Sequence, residues 1–240
     1  MFTAEINLLI ASAATIAFVH TLMGPDHYLP FVSMGVARKW TIKKMLAVTA
    51  VCGFGHILGS IALGFLGVAL QWQLGSLEWF ESVRGEMAAW CLMAFGLVYL
   101  VWGVRNAYRN RPHSHIHSHG DIVHRHEHTH HDSHAHVHDE EGVDKKASLA
   151  PWAIFIIFVL GPCEPLIPLL MYPAAKESVV GLVMVTAVFG VVTMLTMMLA
   201  VWLSATSLKK VRIPRLERFG HAIAGGTIFA CGSSIAFLGL

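Results

Sequence analysis

The sequence predicts an all-α membrane protein with six transmembrane segments, arranged as two inverted repeats of three helices. Three observations predict this fold: long uncharged apolar runs, Gly-Pro breaks inside two of them, and motifs repeated at one offset. Of the 240 residues, 55% are hydrophobic and 13% are charged, whereas soluble domains carry about 25% charged residues. This composition predicts a lipid bilayer as partner. The net charge is only +2, so we expect no nucleic acid as partner.

The apolar segments cover roughly residues 5–36, 45–70, 87–104, 150–175, 178–206 and 220–240. Each is long enough to cross a hydrocarbon core of about 30 Å. The first and fourth segments contain a Gly-Pro pair, and proline removes a helical hydrogen bond. We therefore expect both helices to be broken, with these residues at the breaks: Gly24, Pro25, Pro30, Gly161, Pro162, Pro165 and Pro168.

Two motifs recur along the chain. "GPDHYLP" at 24–30 aligns with "GPCEPLIP" at 161–168, and "TAVCGFGHIL" at 49–58 aligns with "TAVFGVVTML" at 186–195, both at an offset of 137. The repeated unit is three segments, and because three is odd the halves must insert with opposite topology. Inverted repeats with broken helices are typical of secondary transporters.

These repeats divide the chain into three parts. Residues 1–105 form the first three-span repeat and 149–240 the second. The polar segment 106–148 between them holds 12 of the 16 histidines and 7 of the 15 acidic residues. It shows no helical or strand periodicity, so we predict a disordered loop.

Interleaved histidines and acids in this loop are typical of loose binding of late first-row divalent metals. A solvated linker with an incidental composition is the alternative. The candidate accessory ligands are His113, His115, His117, His119, His124, His126, His128, His130, His131, His134, His136 and His138.

Lysine and arginine predict the orientation. Fifteen of the 17 lie in the connections between segments 1 and 2, 3 and 4, and 5 and 6, against two on the other side. Cytoplasmic loops carry the excess of positive charge. We therefore expect a bacterial or archaeal plasma-membrane protein with extracytoplasmic termini and a cytoplasmic histidine-rich loop.

Ionisable residues in the apolar segments predict one interior site. Asp26, His27, His56 and Glu164 all lie within apolar runs, where an ionisable group costs about 2.5–3.5 kcal/mol. A shared divalent cation would lower that cost most. Imidazole and carboxylate ligands suit nickel, cobalt, zinc or ferrous iron without ranking them, and Cys163 adds a soft thiolate as a further candidate.

His20 leaves two alternatives open. It precedes His27 by seven residues, which places the two about 10 Å apart along a straight helix. One metal with bonds near about 2 Å cannot span that distance. Either the Gly24-Pro25 break brings the two histidines together, or His20 belongs to a separate access site.

The stretch "HTLMGPDHYLP" at 20–30 resembles the histidine–aspartate–histidine signature of the nickel/cobalt transporters. The histidine-rich loop is similar to that of the nickel/cobalt efflux members, and short six-span proteins of this kind are grouped with the urease-accessory transporters. The resemblance implies that His20, Asp26 and His27 select the metal. It also implies transport of nickel or cobalt.

The stretch "GPCEPLIP" is instead similar to the proline-flanked cysteine motif of the thiol electron carriers of cytochrome c biogenesis, distant relatives with the same inverted repeat. Those carriers use a cysteine in each half. Under the repeat, Cys163 corresponds to Asp26, so the thiol pair is missing here.

We therefore expect a secondary transporter of a divalent transition metal, nickel or cobalt before zinc or iron. The cytoplasmic histidine loop favours efflux. We expect no enzymatic activity and no permanently bound cofactor, and the oligomeric state stays open. The alternatives are a membrane thiol–disulfide electron carrier that uses Cys163, and a metal-delivery or sensing membrane protein that does not transport.

Overall fold

A computed structural model describes residues 2–70, 74–109, 113–119, 122–128, 149–161, 165–175, 178–210 and 218–239. The described chain is helical except for one hairpin. Its helices are α1 (Phe2–Met23), α2 (Leu29–Ala37), α3 (Ile42–Ala69), α4 (Leu74–Arg109), α5 (Leu149–Leu160), α6 (Leu166–Ala175), α7 (Val179–Lys210) and α8 (Gly220–Leu238), with a 3₁₀ turn (Pro25–His27) between α1 and α2.

Five helices are long and apolar enough to cross a membrane. They are Ala4–Met23, Ile42–Gly67, Ser76–Arg109, Val179–Leu208 and Gly220–Leu238. The fourth predicted segment consists of two short helices, α5 and α6, of 12 and 10 residues. Six spans and the inverted repeat therefore stay predictions, whereas a predominantly helical architecture with helices that can span a membrane is confirmed.

The third predicted segment is too short. The sequence predicts it from residue 87, but α4 begins at Leu74. Charged residues lower the hydropathy of the first turns of α4 and hide them from an apolar-run search. Two of these charges, Glu81 and Arg84, form an ion pair at 3.1 Å one helical turn apart, which lets the helix continue through them.

Close backbone contact joins the ends of the chain's two halves. α4 and α8 make the most extensive helix pair of the fold. A Cβ atom at Gly225 would collide with the backbone of Leu100, and one at Gly103 with the backbone of Ala222. Glycine at these positions lets the helices approach closely, as small residues do in membrane bundles.

Two apolar clusters hold the remaining helices. One joins α1, α6 and α7 through residues that include Ala17, Leu166 and Phe189. The larger one joins α2, α3, α4, α5, α7 and α8, and it includes Phe31 and Phe158. Phe158 belongs to this core and lies two residues before the end of α5.

The histidine-rich segment contains a hairpin. β1 (His113–His119) and β2 (Ile122–His128) are antiparallel strands, which differs from the disorder predicted for residues 106–148. The alternation of histidine with other residues has the two-residue period of a strand, and Gly-Asp between the strands favours a two-residue turn. Residues 129–148, with the last five histidines of the loop, lie outside the described residues.

Candidate functional site

The first helix break places two histidines side by side. At the end of α1 the N–H of Gly24 donates to the carbonyl of His20 at 2.9 Å. Gly24 then adopts an extended backbone before the 3₁₀ turn. As a result the rings of His20 and His27 are 4.9 Å apart between centroids. The break thus brings together the two histidines that a straight helix would separate by about 10 Å.

A third imidazole, from α3, joins them. The ring centroids of His27 and His56 are 5.5 Å apart, and the two residues are 3% and 2% exposed. The Nε2 atoms of His20, His27 and His56 are buried, and none has a hydrogen-bond partner in the described part of the chain. A buried unsatisfied nitrogen costs about 1–3 kcal/mol, so three of them in one cluster are open to a further hydrogen-bond partner or ligand.

The other ring nitrogens fix the tautomers. His27 Nδ1 is 3.1 Å from the carbonyl oxygen of Gly24 and 3.1 Å from Oδ1 of Asp26. His56 Nδ1 is 3.1 Å from the carbonyl oxygen of Phe158. A carbonyl can only accept, so both Nδ1 atoms donate, and in the neutral rings Nε2 keeps its lone pair. Metal-binding histidines are held by carboxylate and carbonyl groups in the same way.

The second helix break has carbonyls whose usual donors are missing. Four residues after Phe158 and Gly161 the sequence has Pro162 and Pro165, which have no N–H. The Phe158 carbonyl instead accepts from the Gly161 N–H at 3.1 Å and from His56 at 3.1 Å. A histidine of the first half therefore satisfies a carbonyl of the second half.

Arg84 of α4 satisfies the other carbonyl. Its Nη2 atom is 2.9 Å from the oxygen of Gly161, 2.6 Å from Oγ of Ser60 and 3.1 Å from Oε2 of Glu81. Ser60 is fully buried and Glu81 is 1% exposed. From the sequence, Arg84 counted only as one of the two basic residues on the less basic side, and Glu81 received no role. Their spacing of three residues on a helical stretch was the available signal.

Part of the predicted site lies outside the described residues. The predicted site residues in this part are Pro162, Cys163 and Glu164. The contribution of the second half to the cluster therefore stays a prediction. Thr193, which corresponds to His56 under the repeat, is fully buried and its hydroxyl has no partner among the described residues.

Two of the predicted helix-break prolines do not break a helix. Pro30 is the second residue of α2 and Pro168 the third residue of α6. In the first turn of a helix the backbone nitrogen has no intrahelical acceptor, so proline is tolerated there. The breaks lie before these helices, around Gly24-Pro25 and after Gly161.

The cluster does not enclose a metal ion as it stands. Among the described residues no group of three or more histidine, cysteine, aspartate or glutamate side chains is arranged to hold one. The rings meet edge to face, at 79° and 88°, whereas metal-bound nitrogens converge at about 2 Å from one point. Histidine χ2 torsions are broad, so ring rotation is the movement that metal binding would require.

Comparison with known families places the chain. Residues 29–233 match the family described as the cytochrome C biogenesis protein transmembrane region, and the chain belongs to this family. The match supports the predicted relation to the thiol electron carriers and favours the thiol–disulfide alternative over nickel or cobalt transport. The resemblance to the nickel/cobalt transporters is not confirmed. No curated protein and no solved structure is significantly similar to the chain.

Proposed function

Membership in this family favours a thiol–disulfide carrier, but from the side chains of the site we propose that the protein transports a divalent transition-metal cation through the three-imidazole cluster. One observation carries the proposal: His27 and His56 lie beside each other and donate from Nδ1 to fixed acceptors, while their buried Nε2 atoms have no hydrogen-bond partner among the described residues. A family match describes a scaffold, whereas function depends on the groups at the site. Clustered imidazoles suit the binding of a metal, and a thiol carrier would have no evident use for them.

The position of the cluster favours transport over storage. It lies where a membrane helix is interrupted, between α1, α2, α3 and the end of α5. Interrupted helices at the interface of two repeats are where secondary transporters bind their substrates. Ring rotation can bind and release the cation, so the same groups serve both faces of the membrane.

Ligand chemistry limits the substrate class. Imidazole nitrogen with a carboxylate nearby suits the late first-row divalent metals, and affinity at such sites rises from iron through cobalt to nickel. Nickel and cobalt are the proposed substrates because of the resemblance of residues 20–30. Zinc and ferrous iron remain alternatives.

The hairpin supports a role in collecting metal. Three histidine pairs are directly opposite each other in its register: His113 with His128, His115 with His126, and His117 with His124. On the predicted cytoplasmic side, a segment with twelve histidines would concentrate metal for export, so we propose efflux as the direction.

A thiol–disulfide electron carrier is the second candidate, and the family match favours it. Such a carrier oxidises two thiols to a disulfide, so it needs a partner for Cys163. The free cysteines among the described residues are Cys52, Cys91 and Cys231, on α3, α4 and α8. The position that corresponds to Cys163 holds Asp26, whose carboxylate contacts His27.

Transport of ⁶³Ni²⁺ by proteoliposomes that contain the full chain tests the proposal. We expect the wild type to transport, His27→Ala and His56→Ala to abolish transport, and His221→Ala to retain it. His221 is a matched control because its Nδ1 is 2.7 Å from the hydroxyl of Tyr99, away from the cluster. Binding without transport would support a delivery or sensing protein. Disulfide reduction that requires Cys163 would establish the second candidate.

A further inference from the structure

A cavity opens beside the imidazole cluster. Its volume is about 470 Å³, and it is lined by residues of α1, the first break, α4 and the end of α8. His20, Asp26 and His27 line it together with Glu86 of α4. The cavity therefore connects the cluster to a carboxylate that the sequence analysis did not assign to the site.

Two side chains that line this cavity, His27 and Asp26, can bind a cation. His27 is 3% exposed, and its buried Nε2 has no hydrogen-bond partner among the described residues. The side chain of Asp26 is 23% exposed although its Oδ1 is held by His27. The buried nitrogen indicates a ligand independently of the acidic residues around it.

The cavity continues along α4. A second cavity of about 490 Å³ shares Ser82 and Pro165 with the first and is lined by Glu78 and Glu81. Glu78, Ser82 and Glu86 lie four residues apart, so they follow one face of the helix over about 12 Å. Glu81 is already paired with Arg84, which leaves Glu78 and Glu86 as the carboxylates that can attract a cation here.

We propose that this cavity is the passage of the cation between the imidazole cluster and one face of the membrane, and that Glu86 and Asp26 form an outer binding station in it. This inference rests on the proposed function. The passage lies at the end of α8, because Ala236 and Gly239 line it. With the predicted orientation it opens to the extracytoplasmic side, where an exported cation would leave.

The station would hold the cation with much of its hydration shell. A volume of 470 Å³ has room for more than ten water molecules, at about 30 Å³ each. Two carboxylates can therefore attract a hydrated divalent ion by charge before the imidazoles replace its water. Charge-lined clefts raise local ion concentration and association rates by about 10- to 1,000-fold, and salt weakens the effect.

Exchange of labelled for unlabelled Ni²⁺ in preloaded proteoliposomes tests the station. Exchange needs no driving gradient, so the assay works for either direction of net transport. Vesicles whose C-terminus faces outward are selected through an accessible C-terminal tag. External ⁶³Ni²⁺ then reaches the passage first.

We expect Glu86→Gln to raise the half-saturating Ni²⁺ concentration about tenfold, to leave the maximal rate unchanged, and to weaken its dependence on ionic strength. Glu86→Asp should restore part of the wild-type behaviour. Glu5→Gln is the matched control, since Glu5 is an exposed carboxylate of α1 that lines neither cavity.

The outcomes separate the two proposals. If wild type exchanges Ni²⁺ and His27→Ala does not, but Glu86→Gln behaves like Glu5→Gln, the passage is overturned and the proposed function stands. If Glu86→Gln lowers only the maximal rate, the residue has a structural role and the station is likewise overturned. If the wild type exchanges no Ni²⁺, both proposals are wrong.

Discussion

The two helix breaks satisfy their backbone in different ways. At the first break the groups come from the same stretch of chain: the carbonyl of Gly24 accepts from the N–H and from Nδ1 of His27. At the second break the local N–H of Gly161 is joined by side chains of other helices, His56 for the carbonyl of Phe158 and Arg84 for that of Gly161. The Gly24 carbonyl is thus satisfied locally, whereas the carbonyls of the second break depend in part on other helices.

This difference assigns the breaks separate tasks. Because Gly24 and Asp26 orient the ring of His27 through Nδ1, its Nε2, which has no partner among the described residues, is open to a ligand. Because the second break is held by side chains of α3 and α4, it ties those helices to α5. A change at the second break should therefore act first on stability, and a change at the first break on metal affinity. Four variants test this comparison, from the largest expected effect to the smallest.

Arg84→Gln should destabilise the protein most. The change removes the guanidinium group that donates to Gly161 and Ser60 and pairs with Glu81. Removing one partner of a buried ion pair costs about 3–5 kcal/mol. Reversible unfolding of the purified protein in mixed detergent measures the loss. The double variant Glu81→Gln with Arg84→Gln should recover part of the lost stability. If Arg84→Gln alone is as stable as the wild type, Arg84 does not stabilise the second break.

Gly24→Ala should weaken Ni²⁺ binding up to about 100-fold, the upper end of the range for disturbing the orientation of a metal-bound histidine. A Cβ at Gly24 would lie 2.5 Å from Nδ1 of His27, so the ring must move. The matched variant Gly161→Ala meets its nearest neighbour, the oxygen of Phe158, at 3.1 Å and should lose much less affinity. Calorimetric titration compares the Ni²⁺ affinities of the two variants. Equal losses of affinity would contradict the distinction between the two breaks.

Asp26→Asn should weaken Ni²⁺ binding about tenfold, at the low end of the range for loss of a group that orients a metal-bound histidine. The amide oxygen can still accept from Nδ1 of His27, but the negative charge is gone. Glu5→Gln, which removes an exposed carboxylate of α1, serves as the control in the same titration. An unchanged affinity in Asp26→Asn would mean that the Gly24 carbonyl alone holds the ring.

Cys163→Ser should have the smallest effect. We expect transport to change by no more than about twofold, which corresponds to about 0.4 kcal/mol, or the preference among metals to shift. Proteoliposome transport over several metals measures this. Loss of an activity that reduces external disulfides would contradict the prediction and favour the thiol carrier.

More residues of the first helix break than of the second could be predicted from the sequence. Proline and glycine act on their own turn of helix, and the structure has a 3₁₀ turn, Pro25–His27, directly after Gly24. Pro30 and Pro168 were assigned to the breaks by the same reasoning but lie in first turns, since sequence does not show where a helix restarts. The role of Arg84 was missed because two of its three partners, Ser60 and Gly161, are distant from it in sequence.

The sequence by itself determined the class of molecule and the candidate ligands. Hydropathy, the cost of ionisable groups in lipid, and the missing N–H of proline are properties of short segments, and they selected His27, Asp26 and His56. Only the tertiary structure decided that His20 joins them, that His56 holds the carbonyl of Phe158, and that Glu86 shares their cavity. Those outcomes depend on the direction of the chain after the break and on how α3, α4 and α5 pack, which are set by contacts between distant residues.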